Sequence, residues 1–167
     1  MRTAAACVVL MLGSGLAEAG PVQDCNDPRD PGRQLRGCSA YIRTGKGEPA
    51  DRAVAHLNRA NVYAQRGRYS QAFADYASAL ALDPANPLIL YNRGNAYFDL
   101  KQYQRAAADF TRAVQLDPRF GLAYYNRGLA LERLGDATAA AEDYRRALTF
   151  DTASALAQKA LERLQSQ

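Results

Sequence analysis

A pattern of residues recurs three times along this chain at intervals of 34 positions. It is clearest from Pro87 to Pro118, PLILYNRGNAYFDLKQYQRAAADFTRAVQLDP. Numbered from Pro87, the stretch has glycine at position 8, aromatic residues at 11 and 24, alanine at 20 and 27, and proline at 32. A period near 34 residues is typical of stacked helix–turn–helix units, so the pattern predicts an all-α protein.

The same frame holds one period upstream and one period downstream. Positions 8, 11, 20, 24 and 27 are Ala60, Tyr63, Ala72, Tyr76 and Ala79 in the first copy and Gly128, Leu131, Ala140, Tyr144 and Ala147 in the third. Position 32 is Pro84 in the first copy but Thr152 in the third. From about Ala53 to Phe150 the chain therefore resembles the tetratricopeptide repeat (TPR) family. The resemblance implies a short right-handed solenoid of three hairpins.

The spacing has a physical reason. Small residues such as Gly94 and Gly128, with the alanines at positions 20 and 27, let two helices approach closely. One hairpin cannot bury its apolar face alone, and about three stacked repeats are needed for stability. We predict repeats at about 53–86, 87–120 and 121–151. The predicted helices are Ala53–Arg66, Ser70–Leu82, Pro87–Leu100, Gln104–Leu116, Gly121–Leu134 and Ala137–Phe150.

Both ends of the repeat array are predicted to be capped. Residues 152–167 contain an apolar stripe, and we expect a capping helix over Thr152–Gln165. At the other end, residues 20–32 are rich in turn formers and are expected to be irregular. Residues 33–44 have helical periodicity and align with the second helix of a repeat, which predicts an N-terminal half-repeat. Residues 45–49 are predicted to be a linker.

Residues 1–19 have the pattern of a secretory signal peptide. Arg2 precedes an apolar stretch over Ala4–Leu16, and Ala17-Glu18-Ala19 fits a cleavage site. We expect a mature chain that starts near Gly20, exported to a bacterial periplasm or secreted. The alternative is an uncleaved anchor. No other stretch is apolar and long enough to cross a membrane.

Cleavage at that site would leave two cysteines, Cys25 and Cys38. In an exported protein, such a pair in one short segment is most simply a disulfide. A metal site is disfavoured because only His56 could join the cysteines, without the usual ligand spacing.

The sequence disfavours two broad classes of function. The net charge of +4 comes without a run of Lys or Arg, so nucleic-acid binding is not expected. There is no catalytic or cofactor-binding motif, and the one histidine, His56, falls at position 4 of a repeat, which is usually core. We expect neither enzymatic activity nor a cofactor.

The resemblance implies a ligand groove on the concave face, lined by the first helix of each repeat. Residues of that face would bind a peptide or a partner helix. The alternative is that the leucines among them only pack between repeats. The implied groove residues are Asn61, Gln65, Leu88, Tyr91, Asn95, Phe98, Asp99, Leu122, Tyr125, Leu129, Glu132 and Arg133.

Some members of the family bind a C-terminal carboxylate through a clamp of cations and amides. Asn61 and Asn92 stand at the amide positions of that clamp, but Leu57, Leu122 and Asn126 replace its cations. Recognition of an acidic C-terminus is therefore not expected.

A second repeated pattern joins charged residues. Positions 7 and 23 should lie opposite each other in an antiparallel hairpin, which predicts an ion pair within each repeat, bidentate if the geometry allows. The alternative is six solvated charges. The predicted pairs are Arg59–Asp75, Arg93–Asp109 and Arg127–Asp143.

These features predict an exported, non-enzymatic scaffold that binds a protein or peptide in its groove. One alternative is an accessory subunit of an envelope-assembly or secretion complex. Another is a regulator or carrier of an exported enzyme or cell-wall glycan.

Overall fold

The computed structural model describes residues 20–150 and 154–166, and this part of the chain is all-helical. The predicted signal peptide and residues 151–153 lie outside the described residues. Nine helices follow one another within the described ranges: α1 Pro21–Cys25, α2 Pro31–Thr44, α3 Pro49–Gln65, α4 Tyr69–Leu82, α5 Pro87–Asp99, α6 Tyr103–Leu116, α7 Gly121–Arg133, α8 Ala137–Leu148 and α9 Ser154–Gln165. None of these helices is long and apolar enough to cross a membrane.

Three antiparallel hairpins, α3–α4, α5–α6 and α7–α8, form the repeats, and each packs on the next. Their bounds agree with the predicted helices to within two residues, except at the start of α3. The predicted linker, residues 45–49, is one residue too long at its C-terminal end. Helix α3 begins at Pro49, because proline fits the first turn of a helix, where its missing N–H needs no partner.

The small residues at position 8 allow the close packing within each hairpin. A Cβ atom on Gly94 would lie 2.7 Å from Cε1 of Phe110, and one on Gly128 would lie 2.6 Å from Cε1 of Tyr144. Both rings are fully buried. In the second and third repeats, the two helices therefore meet where a ring of the second helix covers a glycine of the first.

The turns inside the three hairpins share one backbone geometry. Gly67 and Gly135 have positive φ angles of 70° and 86° in the first and third turns. In the second turn, Lys101 has a φ of 59°. Glycine adopts this left-handed conformation without steric cost, whereas lysine does not.

The N-terminal segment is more ordered than its turn-rich sequence indicates. The prediction of an irregular segment over residues 20–32 is wrong, since α1 occupies Pro21–Cys25 and α2 starts at Pro31. The side chain of Asp30 caps α2 by accepting hydrogen bonds from the backbone N–H groups of Gly32 and Arg33. Clustered Asp and Pro here mark helix starts rather than irregular structure.

Helix α1 is fixed to the rest of the molecule by covalent and polar contacts. The Cys25–Cys38 disulfide joins it to α2. The backbone carbonyl of Cys25 also accepts hydrogen bonds from the side-chain amides of Gln34 (3.1 Å) and Asn58 (3.2 Å). Asn58 belongs to α3, so α1 is bound to the first repeat as well as to α2.

One repeated contact identifies α2 as the second helix of an incomplete repeat. Arg127 donates a hydrogen bond from Nη1 to Thr111, a residue of the second helix of the preceding repeat. Arg59 donates in the same way to Ser39 of α2, at 3.3 Å. Helix α2 therefore stacks on the first repeat as a second helix would.

We expect the disulfide to contribute about 3 kcal/mol to the free energy of unfolding, since it closes a loop between residues 13 apart in sequence. The double variant Cys25→Ser/Cys38→Ser should melt at a correspondingly lower temperature than the oxidised protein. Denaturant unfolding of both proteins measures the difference. Equal stabilities, or two free thiols that react with a maleimide in the native protein, would contradict this expectation.

Helix α9 covers the last repeat. Ala157, Ala160 and Leu161 are buried against α8 and α7, and Arg163 forms an ion pair with Glu132 at 2.7 Å. Leu156, another apolar residue of α9, is half exposed. Helix α9 occupies the place that the first helix of a fourth repeat would take.

Candidate functional site

The most regular polar contacts of the protein lie inside the hairpins. In each repeat, the arginine at position 7 donates two hydrogen bonds of 2.6 to 2.7 Å to the aspartate at position 23. The three aspartates are buried. The hydrogen bonds with these carboxylates raise the pKa of each arginine, so the guanidinium groups stay charged. They lie between the two helices of a repeat and hold the fold together.

The single histidine belongs to one of these pairs. Nδ1 of His56 lies 2.8 Å from Oδ1 of Asp75, whose carboxylate also accepts both hydrogen bonds of Arg59. The side chain is mostly buried, at 13% exposure. The contacts of His56 place it in the structural ion pair of the first repeat. No group of three metal-ligating side chains occurs among residues 20–150 and 154–166.

The first helices α3, α5 and α7 carry all twelve predicted groove residues. Of these residues, Gln65, Leu88, Asp99 and Arg133 are exposed, and the other eight are half buried. The structure brings four of them together in an open cleft of about 210 Å³ between α3 and α5: Asn61, Gln65, Asn95 and Asp99. The cleft is lined by Asn61, Ala64, Gln65, Tyr76, Asn92, Asn95, Ala96 and Asp99.

Two asparagines of the cleft have their side chains oriented by neighbouring residues. The hydroxyl of Tyr76 donates a 2.7 Å hydrogen bond to Oδ1 of Asn61. Asn126 of α7 donates a 2.8 Å hydrogen bond from Nδ2 to Oδ1 of Asn95 and also contacts the hydroxyl of Tyr91 at 3.1 Å. Because each oxygen is engaged, the amide nitrogens of Asn61 and Asn95 are left to donate to a ligand.

Acceptors lie beside these donors. Asn92 uses its amide nitrogen in a 2.7 Å hydrogen bond to the backbone carbonyl of Leu88, which leaves its side-chain oxygen to accept. Asp99 is exposed at the same cleft. Burial, with a smaller contribution from the charge of Asp99, raises the pKa of Tyr76, so its hydroxyl keeps the proton that it donates to Asn61. The cleft therefore presents alternating donors and acceptors.

The predicted groove aromatics are not free surface residues. Phe98 packs in an apolar cluster with Phe110 and contacts the ring of Tyr103, and Tyr125 lies 5.7 Å from the ring of Tyr144. The ring of Tyr91 lies 4.9 Å from that of Phe120. These aromatics are half buried because they also fill the space between neighbouring helices.

The third repeat offers less free surface than predicted. Glu132 accepts hydrogen bonds from Tyr144 (2.8 Å) and Arg163 (2.7 Å), so its carboxylate is engaged by the C-terminal cap. Arg133 lies over the ring of Phe98 at 5.6 Å. Leu122 and Leu129 are half buried in the cluster around Tyr144 and take part in packing. Leu88 of α5, by contrast, is half exposed at the concave face.

A carboxylate clamp needs cations at three positions, and in the structure, as in the sequence, these positions hold other residues. Leu57 is buried in the core of the first repeat, and Leu122 packs in the apolar cluster of the third repeat. Asn126 stands at the remaining cation position and uses its amide to orient Asn95. No cation among the cleft-lining residues could pair with an acidic C-terminus.

The sequence analysis did not predict three residues that line the cleft or orient its side chains. Tyr76 was assigned to the core, Asn92 was considered only for the clamp, and Asn126 was considered only as a lost cation. Two of them had a signal in the sequence, because the tripeptide Asn-Arg-Gly recurs in register and places Asn92 and Asn126 at position 6 of successive repeats.

Family models match most of the repeat region. A TPR repeat model matches residues 60–101, and tetratricopeptide repeat models match residues 87–120 and 122–154. A comparison with curated protein sequences found no match.

Solved structures of TPR domains are similar to the whole repeat array. The first TPR domain of Spaghetti (RPAP3), bound to the HSP90 peptide SRMEEVD, is 31% identical over 70% of this chain and 93% of that chain, with a TM-score of 0.67. The second TPR domain of human RPAP3, in complex with the HSP70 peptide SGPTIEEVD, is 29% identical over 71% and 99%, also at 0.67. MamA is similar in fold, with a TM-score of 0.71 and 20% identity over 82% and 78%.

The fold is thus a TPR solenoid with a polar cleft on its concave face. The chain belongs to the tetratricopeptide repeat family.

Proposed function

We propose that this protein is a non-enzymatic scaffold that binds an extended peptide segment of a partner protein in the cleft between α3 and α5. The observation that carries the proposal is the fixed orientation of the cleft amides. Asn61 and Asn95 each present an amide nitrogen that can donate, and Asn92 presents an oxygen that can accept. A peptide backbone offers the complementary carbonyl and N–H groups.

The mode of recognition follows from these groups. Hydrogen bonds to a backbone hold an extended ligand without reading its sequence. Leu88 is exposed on the first turn of α5 and offers an apolar contact for one ligand side chain. The hydrogen bonds from Tyr76 and Asn126 hold the amides of Asn61 and Asn95 in one orientation, so the groups that contact the ligand are preorganised.

Two similar TPR domains bind chaperone peptides, according to their descriptions. Their likeness to this chain supports peptide binding as the function of the fold. The ligand of this chain is expected to differ in its C-terminus. The cleft contains Asp99 and no cation, so a terminal carboxylate would meet a like charge there.

The location belongs to the same proposal. The leader pattern of residues 1–19 and the Cys25–Cys38 disulfide both fit an oxidising compartment outside the cytoplasm, such as a bacterial periplasm. The N-terminal sequence and intact mass of the protein recovered from the periplasmic fraction test this part. A protein found only in the cytoplasm with its leader retained would refute it.

The variants Asn61→Ala and Asn95→Ala are expected to weaken peptide binding by about 1–3 kcal/mol each. The peptide is one selected on the wild-type protein from a random display library, and titration calorimetry measures its affinity. Gln104→Ala is the matched control, since Gln104 is an exposed amide on the second helix α6. Thermal melting of each variant shows whether the fold is kept.

The comparison has two adverse outcomes. If Asn61→Ala and Asn95→Ala melt like the wild type and bind with unchanged affinity, the ligand binds elsewhere. If Gln104→Ala weakens binding as much as they do, the convex face is the docking surface.

A further inference from the structure

The turns inside the three hairpins lie along one edge of the solenoid, called here the turn edge: residues 65–69, 99–105 and 133–137. Neighbouring turns are in contact, since Nη1 of Arg133 donates a 3.2 Å hydrogen bond to the hydroxyl of Tyr103. The ring of Tyr97 stacks at 4.5 Å on that of Phe73, which joins the second repeat to the first near the same edge.

The turn edge has an excess of positive charge. Its five cations are exposed, and none of them forms an ion pair with a carboxylate anywhere in residues 20–150 and 154–166. Two carboxylates lie on the same edge, and one of them, Asp136, is engaged in capping α8. The cations are Arg66, Arg68, Lys101, Arg105 and Arg133.

Several of these cations lie over aromatic rings. The guanidinium of Arg68 is 4.9 Å from the ring centre of Tyr63, and that of Arg105 is 5.7 Å from Tyr97. Stacking on a ring shields one face of a guanidinium and orients its N–H groups toward solvent. The charges are thus held in place at the edge of the protein.

Apolar side chains project among the cations. Leu100 and Leu134 occupy the same position in the second and third turns and are 37% and 38% exposed. Lys101, next to Leu100, has the left-handed backbone conformation that glycine has in the other two turns. A non-glycine residue at such a position has a conformational cost and often marks a functional site.

We propose that the turn edge binds the surface of an anionic phospholipid bilayer. Cations that attract lipid phosphates, leucines that enter the interface and tyrosines behind them are the groups that peripheral membrane proteins use. The two connections between repeats at the opposite edge, residues 83–86 and 117–120, differ: they contain two aspartates, Asp83 and Asp117, and one cation, Arg119. The solenoid would therefore lie with its turn edge on the membrane.

Sedimentation with vesicles tests the proposal on protein purified from the exporting cell. Vesicles that contain phosphatidylglycerol should bind the protein, those of phosphatidylcholine alone should not, and added salt should weaken binding. The variant Arg68→Gln/Lys101→Gln should lower the partition coefficient about tenfold or more, because each cation near an anionic surface contributes several-fold. Leu100→Ser/Leu134→Ser should lower it several-fold.

Matched controls separate the edge from overall charge. Arg112→Gln/Arg119→Gln removes two exposed cations elsewhere, and Leu156→Ser removes an exposed leucine of α9. Both controls should bind vesicles like the wild type, and all variants should melt like it. Equal losses in test and control variants, or no binding to anionic vesicles, would overturn the proposal. Capture by polyglutamate without vesicle binding would also overturn it and assign the edge to an acidic protein.

Discussion

Replacement of Phe110 by alanine is expected to lower the free energy of unfolding by about 3–5 kcal/mol. The ring is fully buried in the second repeat and lies directly against Gly94, so its removal leaves a cavity that a glycine cannot fill. Three repeats are near the minimum for a stable array, and the second repeat contacts both of the others. Denaturant unfolding measures the loss.

Leu134→Ala is the control for this prediction, because Leu134 is an apolar residue at an exposed turn. It should change the free energy of unfolding by less than about 1 kcal/mol. If Phe110→Ala were no more destabilising than Leu134→Ala, the ring would not hold the hairpin together, and the account of the repeat core would be wrong.

Arg93→Ala should destabilise the protein by about 3 kcal/mol, since it leaves the buried carboxylate of Asp109 without its partner. The two side chains are only 25% and 10% exposed, and two hydrogen bonds of 2.7 Å join them. Arg163→Ala is a matched control. It breaks one ion pair with Glu132, in which the two side chains are 50% and 21% exposed, and such pairs contribute about 0–1 kcal/mol.

A double-mutant cycle with Arg93→Ala and Asp109→Ala isolates the interaction itself. The predicted result is a clear favourable coupling energy, larger than that between Arg163 and Glu132. A coupling energy near zero would mean that the repeated charges act independently, despite their geometry.

The architecture could be predicted from the sequence because the same residue pattern occurs in three successive repeats. The six hairpin helices and the three ion pairs all depend on residues that recur in register. Helix α1 was not predicted because it occurs once and its signals, Pro21 and Asp24, are also turn formers. The start of α3 at Pro49 was not predicted for the same reason, since a proline occurs both at helix starts and in linkers.

The candidate cleft was only partly predictable. The family frame placed Asn61 and Asn95 on the concave face, but their orientation depends on Tyr76 and Asn126, one from a second helix and one from the next repeat. Such contacts join residues 15 and 31 apart in sequence, and no local pattern encodes them. The degree of burial of Phe98 and Tyr125 likewise depends on neighbouring helices, so their packing role could not be separated from a binding role.

The turn edge shows why exposed charges are hard to interpret in a sequence. Its cations are interrupted by acids and spread over three turns, so they form no run in the sequence. The stacking of the repeats brings these cations to one edge, where they outnumber the carboxylates.

Chemical-shift mapping tests the central claim, peptide binding in the concave cleft, most directly. The selected peptide is titrated into the ¹⁵N-labelled protein, and changes in the backbone and side-chain amide signals are followed. The account predicts that the largest changes fall on α3 and α5, including the side-chain NH₂ groups of Asn61 and Asn95. Changes concentrated on the second helices α4, α6 and α8, or on the N-terminal segment around the disulfide, would contradict it.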